Sequence, residues 1–143
     1  MILQQLSVFL ENRAGQLAEI TGILSECDIN LRALNIAETA DYGVLRMIAS
    51  EPLRAAEVLR EHGMLVTLTP VVAAAVPDRP GGLGELLEVL ARENIDISYM
   101  YSIFGHRNGM AHMIFRVNQP EELCSILQRN GLQAASAEEL GVH

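Results

Sequence analysis

The apolar positions of this 143-residue chain fall into two matching series. Leu3 to Leu10 is a mainly apolar run, and a polar turn follows it at Glu11-Asn-Arg-Ala-Gly15. From Gly15 to Cys27 the apolar residues Leu17, Ile20, Ile23 and Leu24 recur at helical spacing. Ile29 to Ala37 and the alternating Val44 to Ser50 read as two strands of a hairpin, joined by a turn at Glu38–Gly43. Pro52 stands at the favoured first position of a second helix, with Leu53, Ala56, Val58 and Leu59 expected on its buried face. His62-Gly63 closes that helix, and Val66 to Thr69 is expected as a short fourth strand.

Pro70 is expected to separate that strand from the next, Val71 to Val76, where the series begins again. The second series predicts a helix over 81–93, a strand over 95–104, a turn at 105–109, a strand over 110–117, a helix over 120–130 and a strand over 132–136. Ser136 is placed to cap a last turn within Ala135–Leu140, with Glu138 and Glu139 near its start.

The two series correspond residue by residue. Asn12-Arg-Ala-Gly-Gln-Leu17 returns sixty-six residues later as Asp78-Arg-Pro-Gly-Gly-Leu83. At the same offset Ile20 matches Leu86, Leu24 matches Leu90, and Asp28-Ile-Asn-Leu31 matches Asn94-Ile-Asp-Ile97. Two extra residues then enter near Gly105–Gly109, after which Leu45, Met47 and Ala49 match Met113, Phe115 and Val117. So long a period points to a duplicated small domain rather than a solenoid. The order strand-helix-strand-strand-helix-strand, twice, predicts an α+β chain of two ferredoxin-like βαββαβ domains, residues 1–70 and 71–143. Each has an antiparallel sheet with both helices on one face. The bare faces and edges need cover, by pairing the chain's own sheets or by dimerisation.

Composition narrows the function. Net charge is −8, and all ten basic residues are Arg. An acidic chain is a poor ligand for nucleic acid. Without Lys there is no Schiff-base chemistry and no Walker-type phosphate lysine. Gly81-Gly-Leu-Gly84 therefore does not read as a phosphate loop. Cys27 and Cys124 occupy non-equivalent places in the two copies, so reduced thiols in a cytoplasmic compartment are the expectation. The N-terminal residues lack a signal-peptide pattern, and no apolar run is long enough to span a bilayer.

Candidate chemistry sits at the repeated turns. A turn that opens a helix presents backbone N–H groups and the positive end of the helix dipole, which suits a carboxylate. Gly15 and Gly81 serve as turn glycines, as ligand contacts, or as both. Arg13 and Arg79 either pair with a ligand carboxylate or stay solvated. Asn30 and Asp96 either begin a strand as turn residues or face a ligand. His106 and His112 bracket a hairpin without a third ligand at metal-binding spacing, so no metal is expected. Tyr99 and Tyr101 share one face of a strand, for burial or for shaping a pocket.

The motifs Glu11-Asn-Arg-Ala-Gly-Gln-Leu17 and Pro77-Asp-Arg-Pro-Gly-Gly-Leu83, with Asp28-Ile-Asn-Leu31 and Asn94-Ile-Asp-Ile97, resemble those of the ACT domain family, as a tandem pair covering nearly the whole chain. The family pattern is an Asn/Asp-Arg-Pro-Gly turn and a Val-Asn-Ile-like triplet. The first copy has Ala14 where the second keeps Pro80, and the second has Asp96 where the first keeps Asn30. The resemblance implies a non-catalytic regulatory protein that binds an amino acid at an interface between ACT domains. By position it implies Glu11, Asn12, Arg13, Ala14, Gly15, Gln16, Leu17, Asn30 and Leu31 in one copy. In the other it implies Asp78, Arg79, Pro80, Gly81, Gly82, Leu83, Asp96 and Ile97. No cofactor is expected. The expected partners are the amino acid, a second copy in a homodimer, and a separate effector protein or enzyme, with neither nucleic acid nor membrane. The rival readings are a small enzyme with a cleft active site and a purely structural dimerisation module.

Overall fold

The structure is a computed structural model that describes residues 2–11, 13–38, 42–105 and 108–143. Among these residues it contains six strands and four helices: β1 (Ile2–Leu10), α1 (Gln16–Glu26), β2 (Leu31–Glu38), β3 (Gly43–Ala49), α2 (Pro52–Glu61), β4 (Val66–Pro77), α3 (Gly82–Arg92), β5 (Ile97–Ser102), β6 (Met110–Val117) and α4 (Pro120–Arg129). The chain divides into two compact units. The first is Gln4–Thr69 with Gly141–His143. The second is Pro70–Leu140 together with Ile2 and Leu3.

In the first unit the strand order is β2-β3-β1-β4, all antiparallel where register is defined. Leu6 faces Met47 and Val8 faces Leu45, so one face of β1 and β3 is apolar. Against that face pack Ile20, Ile23 and Leu24 of α1 and Ala55, Ala56 and Leu59 of α2. The second unit repeats the scheme. Strand β4 pairs with β6, and β6 with β5. Val72, Ala74 and Val76 share a core with Phe115, Val117, Leu86, Leu90, Leu123 and Ile126.

All four helices end in one way. After α1, Asp28 N–H donates to the Ser25 carbonyl at 3.0 Å, and Ile29 N–H reaches the Leu24 carbonyl at 2.9 Å. This is the paired closure of a Schellman motif, with Asp28 left-handed at φ 58°. Asn94 (φ 56°) does the same after α3, and Gly63 and Gly131 do so after α2 and α4. The triplets Asp28-Ile-Asn and Asn94-Ile-Asp are thus first of all helix stops, which is why β2 and β5 begin two residues later than their apolar content predicts.

Three other expectations change. Pro70 does not break the chain into two strands: β4 runs on from Val66 to Pro77. Proline removes one donor, but its fixed φ suits extended backbone, and Arg116 Nη1 donates to its carbonyl at 2.9 Å. The strand over 132–136 shrinks to one bridge, Ala74 to Ala134. Leu53 is not buried but 64% exposed, because Pro52, Ala55, Ala56 and Leu59 carry the inward stripe of α2 at i, i+3, i+4, i+7. The turn after Ser136 does form. Ser136 Oγ accepts from Glu139 N–H at 3.1 Å, and Glu139 Oε2 accepts from Ser136 N–H at 3.4 Å.

Candidate functional site

The two turn glycines share one backbone conformation. Gly15 (φ 85°, ψ −7°) precedes α1 and Gly81 (φ 86°, ψ −10°) precedes α3. Both lie in the left-handed region, which glycine enters without a Cβ penalty. The Gly15 carbonyl accepts from Glu19 N–H at 2.9 Å and the Gly81 carbonyl from Glu85 N–H at 3.0 Å. The first N–H groups of such a helix have no acceptor within it, and the helix dipole adds positive potential there.

Each turn arginine reaches a glutamate in the first turn of its helix. Arg13 Nη2 donates to Glu19 Oε2 at 2.8 Å, and its Nε lies 3.5 Å from Glu11 Oε2. Arg79 Nη2 lies 3.0 Å from both carboxylate oxygens of Glu85. The hydrogen bond with Glu19 is the main cause that raises the Arg13 pKa above its ordinary value. The charges of Glu19 and Glu11 add to it, and partial desolvation opposes it. Both arginines therefore have partners within their own turns. The signal was present in sequence, since Glu19 and Glu85 recur at the same repeat offset as the arginines.

Beside the first turn lies a cavity of about 610 Å³, lined by Phe9, Leu10, Glu11, Arg13, Gln16, Glu19, Tyr42, His62, Gly63, Met64 and Leu65. A smaller one of about 260 Å³ shares Leu10, Glu11, Arg13, Gln16 and Tyr42 and adds Gly15, Leu17, Ile36, Glu38 and Gly43. Two of the lining side chains, Phe9 and Tyr42, are each nearly half exposed, with ring centroids 5.1 Å apart. His62 Nδ1 lies 2.9 Å from the Val58 carbonyl. A carbonyl only accepts, so that nitrogen carries the proton.

Gln16 is the first residue of α1 and only 6% exposed. Its Oε1 is buried without a hydrogen-bond donor, the one such side-chain atom found among the described residues. Leaving a buried acceptor unpaired costs about 1–3 kcal/mol, so native structures seldom do it without reason. The sequence reading included Gln16 through its motif alone. It missed Phe9, Glu19, Tyr42, His62, Met64 and Leu65, which come from β1, α1, the β2–β3 connection and the end of α2. No spacing rule links these positions.

The remaining candidates separate. Asn30 and Leu31 line a different depression with Thr21, Leu24, Ser25, Asp28 and Ile29. The Asn30 N–H donates to Ser50 Oγ at 2.9 Å, and the Asn30 carbonyl accepts from Ser50 N–H at 2.8 Å. They lie past the far end of α1, whose 11 residues span about 16 Å. Asp96 borders a third depression with Asn94, Ile95, Val117, Asn118 and Gln119. Ile97 is the first residue of β5 and partly packed in the core. Asp78, Arg79, Pro80, Gly81, Gly82 and Leu83 form the turn into α3 and its first residues. Ala14 lies in the turn before α1. Asn12 and His106 are outside the described residues. Tyr99 and Tyr101 stack on one face of β5 with centroids 6.4 Å apart. Among the described residues no three His, Cys, Asp or Glu side chains group as a metal site. No helix there is long and apolar enough to cross a membrane.

Two ferredoxin-like units, each opening its first helix with a glycine turn, define a tandem of ACT domains. The chain belongs to that family: the pattern of the ACT domain pair matches residues 1–142. It is similar to protein BT0572 from Bacteroides thetaiotaomicron, with 38% identity, 99% of this chain and 96% of that one covered, and a TM-score of 0.91. It shares its fold with the regulatory subunit of aspartate kinase from Thermus thermophilus, in ligand-free form, at 13% identity, 88% and 91% coverage and a TM-score of 0.63. The regulatory subunit of aspartate kinase from Thermus flavus is similar at 11% identity, 90% and 94% coverage and a TM-score of 0.57. No curated protein matches the sequence.

Proposed function

We propose that this protein is a non-catalytic regulatory module that binds an amino acid at the turn opening α1 and passes the binding event to a separate effector. The observation that carries this reading is the buried, donorless Gln16 Oε1 in the wall of a cavity at a helix N-terminus. A zwitterion needs an anion site and an ammonium acceptor. The helix N–H groups provide the first and Gln16 Oε1 the second. Membership of a family whose fold recurs in regulatory subunits supports the same assignment.

Asn30 and the Gly15 turn lie at opposite ends of α1. A ligand that touches a turn and a strand opening together must therefore take the second from another ACT domain. A homodimer in the cytoplasm, with the open Phe9 and Tyr42 rim covered, would provide one. Ligand binding then favours one arrangement of domains, and the effector responds to that arrangement.

A thermal-shift screen of the standard amino acids tests the reading. At a concentration of 100 Kd a true ligand stabilises by about 2.7 kcal/mol, readily seen as a rise in Tm. If none raises Tm and the protein is a stable dimer, a structural dimerisation module replaces this reading. Turnover of a screened compound would replace it with an enzyme.

A further inference from the structure

The two turns share the left-handed conformation of their glycines but not a cavity wall. In the first unit Gln16 is part of the cavity lining and holds a buried amide oxygen without a donor. Its counterpart sixty-six residues on is Gly82, and a Cβ there would lie 2.0 Å from the Pro77 carbonyl oxygen, far inside contact distance. The Gly82 N–H, moreover, already donates to the Arg79 carbonyl at 3.0 Å. The second turn is folded down on its own strand, with no room for any side chain where Gln16 stands in the first.

The rims differ in the same sense. Phe9, 45% exposed, corresponds to Ala75, 7% exposed, and Leu65, 71% exposed, corresponds to the polar Gln133. From these differences we infer that the chain takes one amino acid rather than two, at the Gln16 cavity, and that this cavity selects a ligand with an uncharged side chain.

Selectivity follows from the lining. Glu11 and Glu19 border the cavity, and Arg13, the one arginine among the described residues of its wall, is engaged by both. A ligand carrying a second carboxylate meets two acidic groups, and the described lining offers no further arginine to offset them. Phe9, Leu10, Met64 and Leu65 instead offer apolar surface to a hydrocarbon side chain. The α-ammonium donates to Gln16 Oε1, which ends the orphaned state of that atom. The Gly81 turn keeps its shape as a structural copy.

This inference rests on the proposed amino-acid-binding function, and titration calorimetry of the full chain separates the two. The probes are leucine, methionine, phenylalanine, aspartate and glutamate. The expected result is one site per chain, filled by one of the first three and not by the last two. Gln16→Met, which replaces the amide by an apolar group of similar length, weakens binding about tenfold or more. The same variant raises the Tm of the ligand-free protein, so a folding defect and a lost contact are distinguishable. Arg79→Gln, in the second turn, leaves stoichiometry and affinity unchanged. Two sites per chain, undiminished binding by Gln16→Met, or preference for aspartate or glutamate overturns this inference and leaves the binding function standing. Absence of binding by any standard amino acid overturns both.

Discussion

Arg13 reaches over the start of α1 to Glu19, guanidinium Nη2 to carboxylate Oε2 at 2.8 Å, and the pair is about half exposed. Pairing holds the Arg13 pKa above its ordinary value. A cation raised in this way adds stability below its unfolded pKa and loses it only as pH climbs through the folded value. The unfolded value is the ordinary arginine one and the folded value lies above it, both far above neutrality, so the arginine side of the pair contributes no pH dependence between about pH 6 and 9. Exposed ion pairs are also screened by salt. Arg13→Gln should therefore change Tm little in low salt and not at all in high salt, as measured by circular dichroism melts. A large loss of Tm would show that the pair holds the turn in place.

Two adjacent glycines should respond differently to one added methyl group. At Gly81 a Cβ meets nothing within 4 Å, but the backbone is left-handed, so Gly81→Ala should cost about 1–2 kcal/mol. At Gly82 the backbone is ordinary, but the Cβ collides with the Pro77 carbonyl. Gly82→Ala should cost clearly more than Gly81→Ala in urea unfolding. The reverse order would refute the closed shape of the second turn.

Each unit has its own core, so equivalent truncations should be felt in both. Met47 and Phe115 occupy corresponding places in β3 and β6, and each is buried. Met47→Ala should cost about 2–5 kcal/mol and Phe115→Ala about 3–5 kcal/mol. Equilibrium denaturation measures both. A value under about 1 kcal/mol at either position would contradict its burial.

Ser136 and Glu139 exchange hydrogen bonds at the final turn. Ser136→Ala should lose about 1 kcal/mol, in keeping with other capping serines. Amide hydrogen exchange at Glu139 and Leu140 should rise with it. Unchanged protection there would show that Leu140, which is itself buried, holds the turn without the hydroxyl.

Much of the fold was legible because its signals are local. Apolar residues at helical spacing located α1 and α3, and prolines marked the starts of α2 and α4. Repetition then supplied the duplicated βαββαβ order. What stayed hidden depended on three-dimensional competition. Pro70 reads as a breaker, yet β4 passes through it. Asp28 and Asn94 read as part of a strand-opening motif, while their left-handed φ shows them ending helices. At the site, the sequence marked the turn from Glu11 to Leu17. It could not show that Gln16 turns inward, or that Phe9, Tyr42 and Leu65 meet around it. Gln16 and Gly82 look interchangeable in an aligned repeat, and the Pro77 carbonyl is what separates them.

The repeats have traded ends. Ile2 and Leu3 belong with the second unit, Gly141 to His143 belong with the first, and β4 is common property across the Thr69–Pro70 boundary. A cut at that boundary, by protease or by cloning, would part each unit from its exchanged terminal residues and divide β4. Loss of one copy would therefore strip the other of part of its sheet, and a second turn that binds nothing could be kept for the strand it carries.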